Sequence, residues 1–108
     1  MAQVLVATDS DSVAEEVFAA LAESDTVVSR VRAGADVRPV VAQLKPDLVI
    51  LDLQIGNMGG IATSIDLRLE AGADRLPETR ILMLLDREDD RWIAGQAQAD
   101  AEMVKPIN

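Results

Sequence analysis

Asp9, Asp52 and Lys105 are the residues of this chain whose types and placement could do chemistry together. Each stands just past the end of an apolar run. Gln3 to Ala7 leads into Thr8-Asp9, Leu48-Val49-Ile50-Leu51 leads into Asp52, and Ala101 to Val104 leads into Lys105. If those runs are parallel strands, all three residues gather at one carboxyl-end edge, where the sites of open α/β sheets lie. Two carboxylates close together repel unless a proton or a cation sits between them. Oxygen ligands of that kind suit Mg2+, which takes one or two carboxylates and keeps several waters. Lys105 adds a positive charge placed to pair with a carboxylate or a phosphoryl oxygen. An aspartate beside a divalent cation and a lysine is a candidate phosphoryl acceptor, because aspartyl phosphates are established covalent intermediates. Taken alone, Asp52 could equally cap a turn, as Asp often does at strand ends.

The composition leaves little other chemistry open. The chain has 108 residues, Cys 0 among them, so disulfides, thiolate metal sites and cysteine catalysis are excluded. His is also 0, which removes His-dependent triads and His-ligated zinc. Carboxylates, hydroxyls, amines and the backbone remain. A net charge of −9 and a pI near 4.3 argue against nucleic acid as a direct partner. Hydrophobic residues at 49% and a mean hydropathy of +0.14 indicate one globular domain with a real core. The start Met-Ala-Gln-Val-Leu-Val has no basic n-region and no run approaches membrane-spanning length, so the chain reads as a cytoplasmic domain with no membrane partner.

The elements that must position the three residues alternate in type. Gln3 to Ala7 is a strand, and Thr8-Asp9-Ser10-Asp11-Ser12 is rich in N-cap residues, with Asp11 the expected cap. A helix follows from Val13, with Val13, Val17, Ala20 and Leu21 on one stripe. Thr26 to Val31 is a second, β-branched strand. Pro39 sits near the first turn of a helix carrying Val40, Val41 and Leu44. Leu48 to Leu51 has no polar alternation, as in a strand buried on both faces. The flexible loop Gly56-Asn57-Met58-Gly59-Gly60 then precedes a helix from about Ile61 to Glu70. Arg80 to Leu85 is another apolar strand, with Met83 as core filler. Asp89 or Asp90 opens a helix on which Trp92 is expected to be a packing anchor, and the run from Asp86 to Arg91 reads as its solvated entrance. Ala101 to Val104 is the last strand. Strand and helix alternating in this way mean parallel strands joined by right-handed crossovers.

Thr8-Asp9, the block Asp47-Leu48-Val49-Ile50-Leu51-Asp52, Gly60, the strand Ile81 to Leu84 and the closing Val104-Lys105-Pro106 stand in an order and at separations that resemble a response-regulator receiver domain of two-component signalling. The resemblance covers the whole chain. It implies a flavodoxin-like three-layer α/β sandwich with a five-stranded parallel sheet in the order 2-1-3-4-5. It puts Asp52 on the phosphoacceptor position, Asp9 on the directly metal-ligating acid, Gln54 on the position whose backbone carbonyl binds Mg2+, and Lys105 on the phosphate-pairing lysine. A histidine kinase or another signalling protein is the implied partner, and the Lys105-Pro106 bond is expected to be cis.

The departures from that pattern are as specific. Receivers usually carry two adjacent acids after the first strand; here the first is Thr8, which can still hold a water on the metal but subtracts one negative charge. The switch hydroxyl at the end of the fourth strand is Leu85, the usually very small next residue is Asp86, the aromatic switch residue is Glu102, and Gly56 stands where proline is common. An altered switch opens the alternative of a phosphorylation-independent pseudo-receiver that acts as a protein interaction module. An enzymatic alternative comes from Asp9-Ser10-Asp11-Ser12-Val13, which fits the Asp-x-Asp-x-Thr/Val signature of haloacid-dehalogenase-like phosphatases, with Asp89-Asp90 as a late acid pair. That fold needs a cap or a longer chain and a hydroxyl where Leu85 stands, so the chain is read as no enzyme. Receivers also follow the Lys-Pro turn with a fifth helix beside the first. The expectation here is that the natural protein continues with such a helix, or that a partner or second copy in a homodimer covers the face it would leave.

Overall fold

Apolar runs without polar alternation suit the middle of a sheet covered on both faces. The computed structural model, which describes residues 1–107, is built on such a sheet. Its elements are β1 (Ala2–Ala7), α1 (Asp11–Leu21), β2 (Thr26–Val31), α2 (Val37–Leu44), β3 (Leu48–Asp52), α3 (Gly60–Gly72), β4 (Arg80–Leu85), α4 (Arg91–Gln96) and β5 (Ala101–Val104), with short 3-10 turns at Gly34–Asp36 and Glu88–Asp90. All neighbouring strands run parallel, in the order β2-β1-β3-β4-β5. This is the expected flavodoxin-like α/β topology.

The pleat divides each inner strand between two cores. Leu5, Ala7, Val49, Leu51, Ile81, Met83 and Leu85 point to one face, where Val37 and Val41 of α2, Leu67 of α3 and Ala94 of α4 cover them. Val4, Val6, Ile50 and Leu84 point to the other, where Val13 and Val17 of α1 cover them. Among the described residues three helices thus pack on one face and one on the other. Beside α1 the sheet keeps an apolar groove of about 200 Å3, bounded by Val17, Leu21, Leu48, Leu82, Met103 and Ile107. Asn108 lies outside the described residues.

The structure corrects several local expectations. Helix α1 is capped by Ser10, whose Oγ accepts from the Val13 N–H at 3.3 Å, and not by Asp11. Asp11 is the first helical residue and pairs instead with Arg30 at 2.8 Å and Arg32 at 2.9 Å. Ala20 of the predicted stripe and Leu44 are exposed. Trp92 is no packing anchor: it is 72% exposed, and Ala94 is the buried residue of α4. Met83 fills the core as expected, and the Asp86 to Arg91 run is exposed except at Asp90, which is buried and bonded to Arg87 at 2.9 Å.

Candidate functional site

The parallel register decides what meets at the carboxyl edge. Ala7 lies beside Leu51, Asp52 beside Leu84 and Leu85 beside Val104, so the chain leaves β1, β3, β4 and β5 at one level. Asp52 ends β3 with only 2% of its surface exposed. A carboxylate so placed needs partners, since burial without them is strongly unfavourable. Its Oδ1 accepts from Lys105 Nζ at 2.8 Å and from the Gln54 N–H at 3.1 Å, and its Oδ2 accepts from Thr8 Oγ1 at 2.7 Å.

Lys105 is placed by the backbone as well as by charge. Its N–H donates to the Leu85 carbonyl at 2.8 Å, extending the β4–β5 ladder by one residue, and its bond to Pro106 is cis as expected. The ammonium also pairs with Asp86 Oδ1 at 3.0 Å. Burial alone would lower the Lys105 pKa, but the hydrogen bonds it donates to Asp52 and Asp86 outweigh that and hold the group above the ordinary lysine range.

Thr8 does more than leave out a charge. It is fully buried, and while its hydroxyl donates to Asp52 it accepts from the Ser10 N–H at 3.1 Å. The carbonyl of Thr8 is gripped by Arg30, through Nε at 3.2 Å and Nη2 at 3.0 Å. That arginine was not among the predicted site residues. Its one sequence signal is a charge at the penultimate position of a strand otherwise rich in valine.

Asp9 takes a different course from Thr8. It is exposed, and its Oδ2 accepts from the Gly56 N–H at 3.0 Å, a donor that a proline at that position could not supply. The loop bearing Gly56 is fixed from below: Gly34 and Ala35 donate to the carbonyls of Gly56 and Asn57 at 3.1 and 2.9 Å, and Thr63 Oγ1 donates to the Met58 carbonyl at 3.0 Å. Asn57 and Met58 adopt φ of 54° and 78° inside this loop. Gly60 begins α3 so close to β3 that a Cβ would lie 2.7 Å from the Asp52 carbonyl.

The structure thus brings Thr8, Asp52, Asp86 and Lys105 into direct contact and sets Asp9 on the neighbouring loop. Among the described residues no group of three or more carboxylate, His or Cys side chains forms a ready metal cage. The donor set still fits Mg2+, which needs only one or two carboxylates together with carbonyl and water oxygens. Asp9, Asp52 and the Gln54 carbonyl are the groups that would hold it, whereas Thr8 has its hydroxyl engaged with Asp52. Leu85 is fully buried in the larger core, so the switch-hydroxyl position offers no donor to the site. Glu102 turns to Arg91 at 3.6 Å.

Similar proteins carry the same architecture. The family model for the response regulator receiver domain matches residues 4–108. The DNA-binding response regulator MtrA of Mycolicibacterium smegmatis is 30% identical over 107 residues, which span 97% of this chain and 44% of that protein. The transcriptional regulatory protein YhcZ of Bacillus subtilis is 28% identical over 85 residues, 79% of this chain and 37% of that protein. The chain therefore spans less than half the length of these curated relatives. Among solved structures, the Vibrio cholerae chemotaxis protein CheY4 superposes with a TM-score of 0.84 over 100% of this chain and 89% of its own, at 24% identity. The BeF3-activated receiver domain of Klebsiella pneumoniae RstA gives 0.82 over 96% of this chain and 87% of its own, also at 24% identity. With the 2-1-3-4-5 sheet, the buried edge aspartate and its lysine in place, the chain belongs to the response regulator receiver domain family, the signalling modules of two-component systems.

Proposed function

We propose that Asp52 is a phosphoacceptor that takes a phosphoryl group from the phosphohistidine of a histidine kinase. The observation that carries this reading is the Lys105 Nζ contact to Asp52 Oδ1, 2.8 Å long, at the carboxyl edge of the sheet. In the transfer an Asp52 oxygen forms a bond to phosphorus as the phosphorus–nitrogen bond of the donor breaks and the imidazole leaves with the electron pair. Lys105 then pairs with the phosphoryl oxygens in place of the carboxylate. Thr8 and the Gln54 N–H fix the rotamer of Asp52 so that one geometry is presented to the donor. Mg2+, when bound by Asp9, Asp52 and the Gln54 carbonyl, supplies charge neutralisation for the phosphoryl oxygens.

Exposure to a small-molecule phosphodonor with Mg2+, followed by intact mass measurement, tests the reading. One phosphoryl group is expected on the wild type and none on Asp52→Asn. Modification that persists in Asp52→Asn removes Asp52 from the role. A wild type that stays unmodified leaves the phosphorylation-independent interaction module as the function.

A further inference from the structure

We propose that Asp86 sets which phosphodonors this domain accepts, disfavouring doubly negative acyl phosphates relative to singly negative phosphoramidates. The inference rests on Asp52 being the phosphoacceptor and concerns the regulation of that same site. Leu85 turns its side chain into the core with no exposed surface, which leaves the residue after it to emerge at the mouth of the site. That residue is Asp86, and 42% of its side chain is exposed. Its Oδ1 lies 3.0 Å from Lys105 Nζ, and the same nitrogen lies 2.8 Å from Asp52 Oδ1. A single ammonium is thus shared between the acceptor and a second acid that faces solvent.

Two effects follow from that sharing, and they differ in what they depend on. Asp86 occupies an N–H of Lys105 that a phosphoryl oxygen would otherwise take, and this penalty is the same for every donor. Asp86 also repels the donor itself, and this penalty grows with the donor's charge. Any donor reacting at Asp52 must bring its phosphoryl group against Lys105, and so to within a few ångströms of Asp86. In a half-exposed setting at that spacing, each extra donor charge is worth roughly a three- to tenfold change in rate. With an acyl phosphate, an Asp52 oxygen bonds to phosphorus while the bridging phosphorus–oxygen bond breaks and the carboxylate leaves with the pair. With phosphoramidate the phosphorus–nitrogen bond breaks, and the nitrogen, already protonated, leaves as ammonia. The acceptor chemistry is the same, and the differing leaving groups cancel between variants, so a change in the ratio of the two rates when Asp86 loses its charge isolates the effect of donor charge.

The test measures phosphoryl incorporation by intact mass for acetyl phosphate and phosphoramidate with Mg2+, in the full chain and in Asp86→Asn and Asp86→Glu. Asp86→Asn is expected to raise the acetyl phosphate rate relative to the phosphoramidate rate by roughly three- to tenfold, less at high salt. Asp86→Glu restores the charge and is expected to keep the wild-type ratio. Modification with an unchanged ratio in Asp86→Asn overturns the role of Asp86 while leaving Asp52 as acceptor. Failure of both donors on the wild type and both variants overturns the acceptor reading, and this inference with it.

Discussion

At the scale of single residues the site is closed by hydrogen bonds to its two carboxylates, Asp9 and Asp52. Thr8 donates to a carboxylate that is only 2% exposed, and a charge-assisted bond of that kind is worth about 1.5–3 kcal/mol. Thr8→Val keeps the shape and removes the donor, so urea unfolding should report a loss of that size; a loss under about 0.5 kcal/mol would show that the bond does not support Asp52. Thr8→Asp makes the opposite test. It places a second buried carboxylate against Asp52, so the metal-free protein should lose stability while Mg2+ affinity rises, both readable by calorimetry. An unchanged affinity would refute the argument that the missing charge weakens the site. Asp52, Asp9, Lys105 and the altered Leu85, Asp86 and Glu102 were legible because each sits at a fixed offset from an apolar run. The Thr8–Asp52 and Asp9–Gly56 bonds were not, because they depend on rotamers and on a loop that no spacing describes.

At the scale of elements, the strands were the readable part. Runs such as Val49 to Leu51 and Ile81 to Leu85 are apolar at every position, and only a doubly covered strand has a use for that pattern. Helix α4 was misjudged at Trp92, because this helix of six residues buries Ala94 and leaves Trp92 exposed. Trp92→Ala should therefore change unfolding stability by no more than about 0.5 kcal/mol, since exposed substitutions away from special features seldom do more. A larger loss would restore it as a packing residue. The loops at the carboxyl edge are the reverse case, exposed yet fixed. Gly34 lies under the β3–α3 loop so closely that a Cβ would fall 1.7 Å from the Met58 carbonyl, a backbone atom with nowhere to move. Gly34→Ala should lower stability by at least about 1–3 kcal/mol and displace the loop whose Gly56 N–H holds Asp9. Amide spectra that leave Gly56 and Asn57 unshifted would separate the two loops.

At the scale of the whole molecule, an acidic chain of net charge −9 gains stability from its paired charges and loses it to self-repulsion, and pH separates those two terms. Asp11, Glu70 and Glu88 are held below the usual carboxylate range, chiefly by hydrogen bonds from Arg30, Arg75 and Arg91 in turn. Burial would raise Asp100, but the Ile81 N–H and Arg68 outweigh it and lower that group too. Groups whose folded pKa is lowered contribute stability that is complete above their unfolded values, near about 4, and that is lost as pH falls through the folded values. Lys105 has the opposite sign. Its folded pKa is raised, so its contribution is complete below the ordinary lysine value of about 10.4 and is lost as pH rises through the higher folded one. Between those limits neither set titrates. Melting temperature should accordingly be flat from about pH 5.5 to about pH 9.5, then fall on both sides. Lys105→Met should lower the plateau and flatten the alkaline limb, because the group that loses its proton there is gone. A melting temperature that climbs steadily from pH 7 to pH 4 would mean that relief of self-repulsion exceeds the loss of the paired carboxylates. The ion pairs around Asp11, Glu70, Glu88 and Asp100 would then have no net hold on the fold.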